Sequence, residues 1–454
     1  MSTAPDLTVV GLEELARAAT RAVADAALRD ADRVGWATWS RSGAETTPVL
    51  HVGGAEVYDG AAGIAWALHL LAPLHDRPGE VEQLARAAMP SDLTRPEDPA
   101  GLLDGQAGLA VARAAVTGEC GRLPSPARLA GSSDHLDGLS GLLLAALTLG
   151  SPTEVTTPVL EALLGCGRPE GEGWAYPGPA DPDGERARPL TGLAHGSSGV
   201  LLALGHWLAT DPRGPLVDAV RERLRRAWWW ESGWSDRVLG WPDLREESPT
   251  YPVLWCHGTA GVTAARLELA RLADAGVDLG VPATALRSEA EAGVLLCREQ
   301  VEQAAAAARR QLETTGPASV RVDPGDAGLT LCHGLGGPLD VLASAADAWG
   351  ATEHLEVAGD AAVAVAELLR DDVHLWPTGQ RTRGGYGLFQ GLAGTALVLA
   401  RLARPDLGLP APSLFGAPRT AVPVPVGRYV ASVGEGGAPG IGGPREKGLA
   451  PRSS

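Results

Sequence analysis

Two stretches of the sequence place a cysteine and a histidine side by side in front of a glycine turn. Leu331–Gly337 reads LCHGLGG and Trp255–Gly261 reads WCHGTAG; a relative, Ala194–Gly199, reads AHGSSG and keeps only the histidine. Sulfur and imidazole nitrogen are the donors that tetrahedral zinc favours, and three protein ligands with the fourth position open mark a catalytic site rather than a structural one. Cys256, Cys332 and His333 would supply S, S and N. Two thiolates and Zn²⁺ sum to no net charge, which leaves the ion able to take a third thiolate and hold it deprotonated at neutral pH. A lone Cys-Gly is ordinarily a small buried cysteine; Cys-His-Gly-x-x-Gly occurring twice on one frame favours the metal. His257 follows Cys256 as His333 follows Cys332. It is either a fourth ligand that closes the site or a residue that lines an open one and donates a proton. His195 holds the matching place in AHGSSG, where an imidazole suits general acid or base work or caps the next helix. Cys120, Cys166 and Cys297 lack the motif and read as core or surface residues.

The elements that must position these groups follow from an internal repeat. The turn Gly-x-x-Gly, followed by an apolar run, starts at Gly60, Gly105, Gly138, Gly196, Gly258, Gly334 and Gly391. The first glycines are spaced from 33 residues (Gly105 to Gly138) to 76 (Gly258 to Gly334), room for a second helix in each unit. Segments 81–89, 218–230, 285–313 and 353–371 are the clear second helices, and residues 11–34 read as a helix ahead of the repeats. The runs after the turns are apolar nearly all round, so they are buried on both sides, whereas the intervening helices carry Arg, Glu and Asp and face solvent. The fold expected is all-α: a double-layered α/α toroid of about seven helix-pair repeats, with the turns opening at one end so that the residues before them converge. The toroid is expected over residues 1–403. Residues 404–454, rich in Pro and Gly, are expected to lie loose or disordered. Loops 167–192, with a short strand near Trp174, and 232–254 are expected to lie over the open end. Asp59 and Asp104 read as ordinary helix caps, and Asp134 stands three residues before Asp137. Trp228, Trp229, Trp230, Trp234 and Trp241 read as packing between the layers or as a peptide-binding wall.

Composition agrees and excludes. Of 454 residues, 45 % are apolar and only 4 % aromatic, so Ala, Leu and Val, which include the best helix formers, must fill the core. A net charge of −17 without a basic stripe argues against nucleic acid. MSTAPDLTVV is no signal peptide, and no apolar stretch is long enough to span a membrane. Five scattered cysteines argue against a disulfide framework, and a cytoplasmic protein is expected.

GLAHGSSG, WCHGTAG and LCHGLGG, in that order within seven Gly-x-x-Gly units over about residues 55–403, resemble the lanthionine synthetase C-like (LanC) family. The resemblance implies the same α/α toroid, one zinc on Cys256, Cys332 and His333, and addition of cysteine thiols of a dehydrated precursor peptide to dehydroalanine or dehydrobutyrine, giving lanthionine thioether rings. It implies proton handling by His195 and by Asp134, and a separate dehydratase and exporter as working partners. Many cyclases carry Tyr after the first motif's Cys, where this chain has His257, as do other LanC-like branches; that keeps open a relative that adds glutathione to dehydroamino acids in proteins. Many also carry Arg four residues before that Cys, where this chain has Pro252; Arg245 is a candidate stand-in. Protein prenyltransferase β-subunits share zinc–thiolate chemistry on an α/α barrel, but without repeated Cys-His-Gly-x-x-Gly. A non-catalytic peptide-binding toroid is the remaining alternative.

Overall fold

The computed structural model describes residues 7–418 except 32, 41–48, 92–97, 179–187, 211, 316–327, 370–372, 379–381 and 384. The helices in chain order are α1 (Leu7–Asp25), α2 (Ala61–Leu71), α3 (Pro78–Ala88), α4 (Gln106–Thr117), α5 (Leu139–Thr148), α6 (Thr153–Leu164), α7 (Ser197–Leu208), α8 (Leu216–Ser232), α9 (Thr259–Asp274), α10 (Ala283–Thr315), α11 (Gly336–Trp349), α12 (Glu353–Leu368) and α13 (Leu392–Ala403).

Helices α2, α4, α5, α7, α9, α11 and α13 each follow one glycine turn, and each packs on the next in that order, with α13 returning to α2. They form a closed inner ring. Every residue of α7 and of α13 is buried, as an all-round apolar sequence demands. The outer helices bury one stripe only; α3 buries Val81, Leu84, Ala85 and Ala88, the three-and-four spacing of a single face. α10 covers α9 and α11, α8 covers α7, and α1 covers α13, so the N-terminal helix completes the outer layer of the last repeat. The architecture is the all-α, double-layered toroid. The unit between α4 and α5 departs from the helix-pair pattern: residues 118–138 hold only a 3₁₀ turn, Pro126–Leu129, because 33 residues between turns leave little room after the inner helix.

The glycine turns have a steric cause. A Cβ on Gly261 would overlap the carbonyl oxygen of Trp255, and the second glycine of the other turns stands in the same relation to the residue six before it, most loosely at Gly337. Each turn therefore folds its own entry strand against the first turn of the helix, at a distance only glycine permits. Gly258 has in addition φ +100°, and a Cβ there would meet the Pro252 carbonyl.

Two expectations need correction. The helix expected over 11–34 ends at Asp25; β1 (Leu28–Asp30) and β2 (Arg33–Gly35) then form a hairpin with Leu28 opposite Gly35. Trp36, donating its indole N–H to the Val23 carbonyl at 2.7 Å, folds that hairpin back on α1. A second antiparallel pair follows, β3 (Ala37–Ser40) with β4 (Val49–Val52). Residues 404–418 do not lie loose. Phe415 packs edge-on against Trp66 of α2 at 5.0 Å, Trp255 donates to the Ser413 carbonyl, Ser413 N–H donates to Asp340 of α11, and Thr148 of α5 donates to the Gly416 carbonyl. A segment that touches α2, α5 and α11 at once runs through the middle of the ring. Residues 419–454, the rest of the expected tail, lie outside the described residues.

The strand expected near Trp174 is present as β6 (Gly173–Ala175), paired with β5 (Arg168–Glu170). The tryptophan cluster divides. Trp230 and Trp241 are buried, and Trp228 and Trp230 donate their indole N–H groups to Glu289 of α10 and Glu170 of β5, which ties the outer helix α8 to its neighbour α10 and to the β5–β6 pair. Trp229 and Trp234 are exposed. Among the described residues, no helix is long and apolar enough to cross a membrane.

Candidate metal centre

The residue two places before the first glycine in six of the seven turns takes part in one chain of backbone hydrogen bonds. Cys332 N–H donates to Phe389 O, Phe389 to Tyr58 O, Tyr58 to Leu103 O, Leu103 to Leu136 O and Leu136 to Ala194 O, at 2.8–3.3 Å. Entry strands far apart in sequence are thereby stitched side by side at one end of the ring. The residue one place before each first glycine is then Asp59, Asp104, Asp137, His195, His257, His333 or Gln390. Three carboxyls, three imidazoles and an amide occupy equivalent positions around the ring.

Cys256, Cys332 and His333 come together here: their ligand atoms all lie within 4.8 Å of one another, with both thiols buried. Cys332 Sγ is 3.9 Å from His333 Nε2, and Cys256 Sγ is 3.7 Å from the Cys332 carbonyl. Bond lengths of about 2.0–2.3 Å to a tetrahedral zinc place its ligand atoms roughly 3.5–3.8 Å apart, so the donor set and its spacing fit that ion. Even without a metal the cluster is polarised: the hydrogen bond with Cys332, backed by His333, holds the Cys256 thiol well below its usual range, while burial pushes Cys332 up.

His257 is not one of the donors in that group. Its ring stacks on His195 at 5.4 Å, and its Nδ1 is buried without a hydrogen-bond partner. Burial takes its pKa down to about 4 despite the neighbouring Cys256.

Asp134 and His195 form a pair, Oδ2 to Nδ1 at 2.6 Å, with Asp134 buried. The other oxygen of Asp134 accepts the backbone N–H groups of Leu136 and Asp137, which fixes the carboxylate. Burial alone would lower the His195 pKa; the bond to Asp134 outweighs it and raises the imidazole above its usual value. With Nδ1 committed to Asp134, Nε2 is the atom left to exchange protons.

The carboxyls expected to be caps are not caps. Gly60 and Gly105 hold the N-cap positions of α2 and α4, with no side-chain cap. Asp59 instead accepts the Gln390 N–H and links the first repeat to the last. Burial raises the carboxyls of Asp59 and Asp104 to about 7, and burial together with Asp134 raises Asp137 to about 6. Arg245, in the 232–254 loop, is clamped bidentately to Asp243, and its charge reaches Cys256 and His257. Tyr58 and Gln390 escaped the sequence reading, although both stand on the frame of the glycine turns, at the second and first places before it.

A family model described as lanthionine synthetase C-like protein matches residues 51–415. Among solved structures, one titled nisin cyclase is similar with a TM-score of 0.52 at 15 % sequence identity, over 78 % of this chain and 93 % of that one; at such low identity the likeness speaks for the fold. No curated protein matches the chain in sequence.

Proposed function

The chain belongs to the lanthionine synthetase C-like family, and from that footing we propose that it is a zinc-dependent peptide cyclase. It adds cysteine thiols of a dehydrated precursor peptide to dehydroalanine or dehydrobutyrine and closes thioether rings. The observation that carries this reading is the meeting of Cys256 with Cys332 and His333, supplied by two different repeats, within 4.8 Å. Zinc held by those three residues supplies the Lewis acidity that keeps a substrate thiol deprotonated at neutral pH.

The remaining work falls to the chain's own groups. The reaction breaks an S–H bond and a C=C π bond and makes one C–S and one C–H bond, so one proton must leave sulfur and one must reach the α-carbon. His195 Nε2 carries that traffic, and Asp134 fixes its tautomer and stabilises its charged form. His257, stacked on His195, holds the imidazole in place from the other side. Arg245 supplies the cation near the site that the family's usual arginine would supply at the position of Pro252.

The test uses purified protein, a dehydrated peptide bearing a free cysteine, and glutathione in a parallel reaction. Cyclisation leaves the peptide mass unchanged and removes one thiol from alkylation. A glutathione adduct without ring closure, or turnover that persists in a metal-free Cys332→Ala variant, would overturn the proposal.

A further inference from the structure

Tyr58 begins the first repeat, 274 positions before Cys332, and its hydroxyl reaches that cysteine's sulfur at 2.9 Å. The same oxygen receives Gln390 Nε2 at 2.8 Å. The phenol ring lies parallel to Phe389, with centroids 5.2 Å apart and planes 6° apart, and the backbone N–H of Tyr58 is held by Leu103. The side chain is thus fixed by a stack, a donor and an acceptor. A phenol has one hydrogen to give. With the Gln390 amide donating to its oxygen, that hydrogen goes to sulfur. A metal-bound thiolate has no proton to return, so the polarity runs from Gln390 through Tyr58 to Cys332. Cys256, the other sulfur, has no such phenol: it lies 3.7 Å from the Cys332 carbonyl, with the Cys332 thiol and His333 as its remaining polar neighbours.

This asymmetry has a chemical use. A thiolate that accepts a charge-assisted hydrogen bond loses electron density and attacks electrophiles more slowly. An enzyme that presents an unsaturated electrophile to a thiolate beside two resident thiolates must keep the residents from reacting. We propose that Tyr58, oriented by Gln390, is a positioning residue that masks the Cys332 sulfur, so that the substrate thiol adds and the ligand does not. The inference rests on the zinc reading of the preceding subsection.

Cobalt(II) and a small Michael acceptor, acrylamide, test it. Wild type, Tyr58→Phe and Gln390→Met are loaded with cobalt. The sulfur-to-cobalt charge-transfer band is recorded, and labelling of Cys332 relative to Cys256 is measured by peptide mass mapping. Tyr58→Phe keeps the stack on Phe389 and is expected to bind one cobalt, to move the band to lower energy, and to raise the Cys332 labelling ratio about tenfold, as loss of one hydrogen bond to a charged group implies. Gln390→Met is expected to change both readouts in the same direction and less. An unchanged band and labelling ratio in Tyr58→Phe overturns the masking role and leaves the zinc reading standing. Wild type that takes up no cobalt defeats the zinc reading itself. Should Tyr58→Phe fail to fold, Gln390→Met decides by the same two readouts.

Discussion

At the scale of single residues, the site turns on pairs whose environments push their protons in opposite directions. Asp134 lifts the His195 pKa while burial alone would lower it, so Asp134→Asn leaves burial opposed only by the weaker pull of Asp137 and Cys256. The His195 titration, followed by NMR, is expected to move to lower pH, and the alkaline limb of the activity profile is expected to move with it. Turnover is expected to fall by roughly 10²–10⁴, the usual worth of positioned acid–base catalysis; an unmoved titration would dissociate the pair. Asp104 behaves in the opposite sense to an ordinary surface acid. Its folded pKa of about 7 lies above the unfolded value, so its contribution to stability is full at acid pH and is lost as pH rises through about 7. Asp104→Asn should therefore raise the melting temperature at pH 8 and leave it unchanged at pH 4. Equal effects at both pH values would mean that the carboxyl is not held protonated by its surroundings.

At the scale of elements, the question is what holds a turn in place. Glu231 of α8 accepts the N–H groups of Gly192 and Ser198 and the Ser198 hydroxyl, and it pairs with the buried Arg266 of α9. It clamps both flanks of the turn that carries His195 and ties that turn to the helix that follows Cys256. Breaking a buried ion pair by removing one partner costs about 3–5 kcal/mol. Glu231→Gln is expected to lose stability on that order in denaturant titration and to lose turnover while retaining its metal; retained turnover would exclude a positioning role. Gly261→Ala drives a methyl into the Trp255 carbonyl and is expected to cost about 3 kcal/mol, the upper range of overpacking. Such elements were legible to different degrees. The inner helices and the metal donors could be read because each copy repeats a glycine frame with an apolar run behind it. Glu231 and Arg266 could not: they sit in helices whose surface charges hide them, and only the ion pair they form in the fold shows that these two are buried. Asp59 and Asp104 were misread for a related reason, since a short acid beside a helix start has a local explanation that the stitching of entry strands overrides.

At the scale of the whole molecule, the ring is closed at two places the repeat pattern does not announce. α1 supplies the outer helix for α13, and residues 411–416 run through the ring's middle. The Pro- and Gly-rich composition of the tail concealed that second role, because its contacts come from Phe415 and from backbone groups and show no periodicity. Phe415→Ala is expected to cost about 3–5 kcal/mol in a denaturation midpoint, the range for a buried aromatic truncated to Ala; a neutral effect would mean that the inner ring stands without its axis. All of this architecture serves to bring two sulfurs and one imidazole from two neighbouring repeats to one point, and the proposed function requires that point to accept a third sulfur. X-ray absorption at the zinc edge tests that claim most directly. The free protein is expected to show two sulfurs, one imidazole and one further light atom around zinc, and a cysteine-bearing dehydrated peptide is expected to convert this to three sulfurs. Two sulfurs and two imidazoles, unchanged by peptide, would place His257 on the metal, close the site and contradict the account.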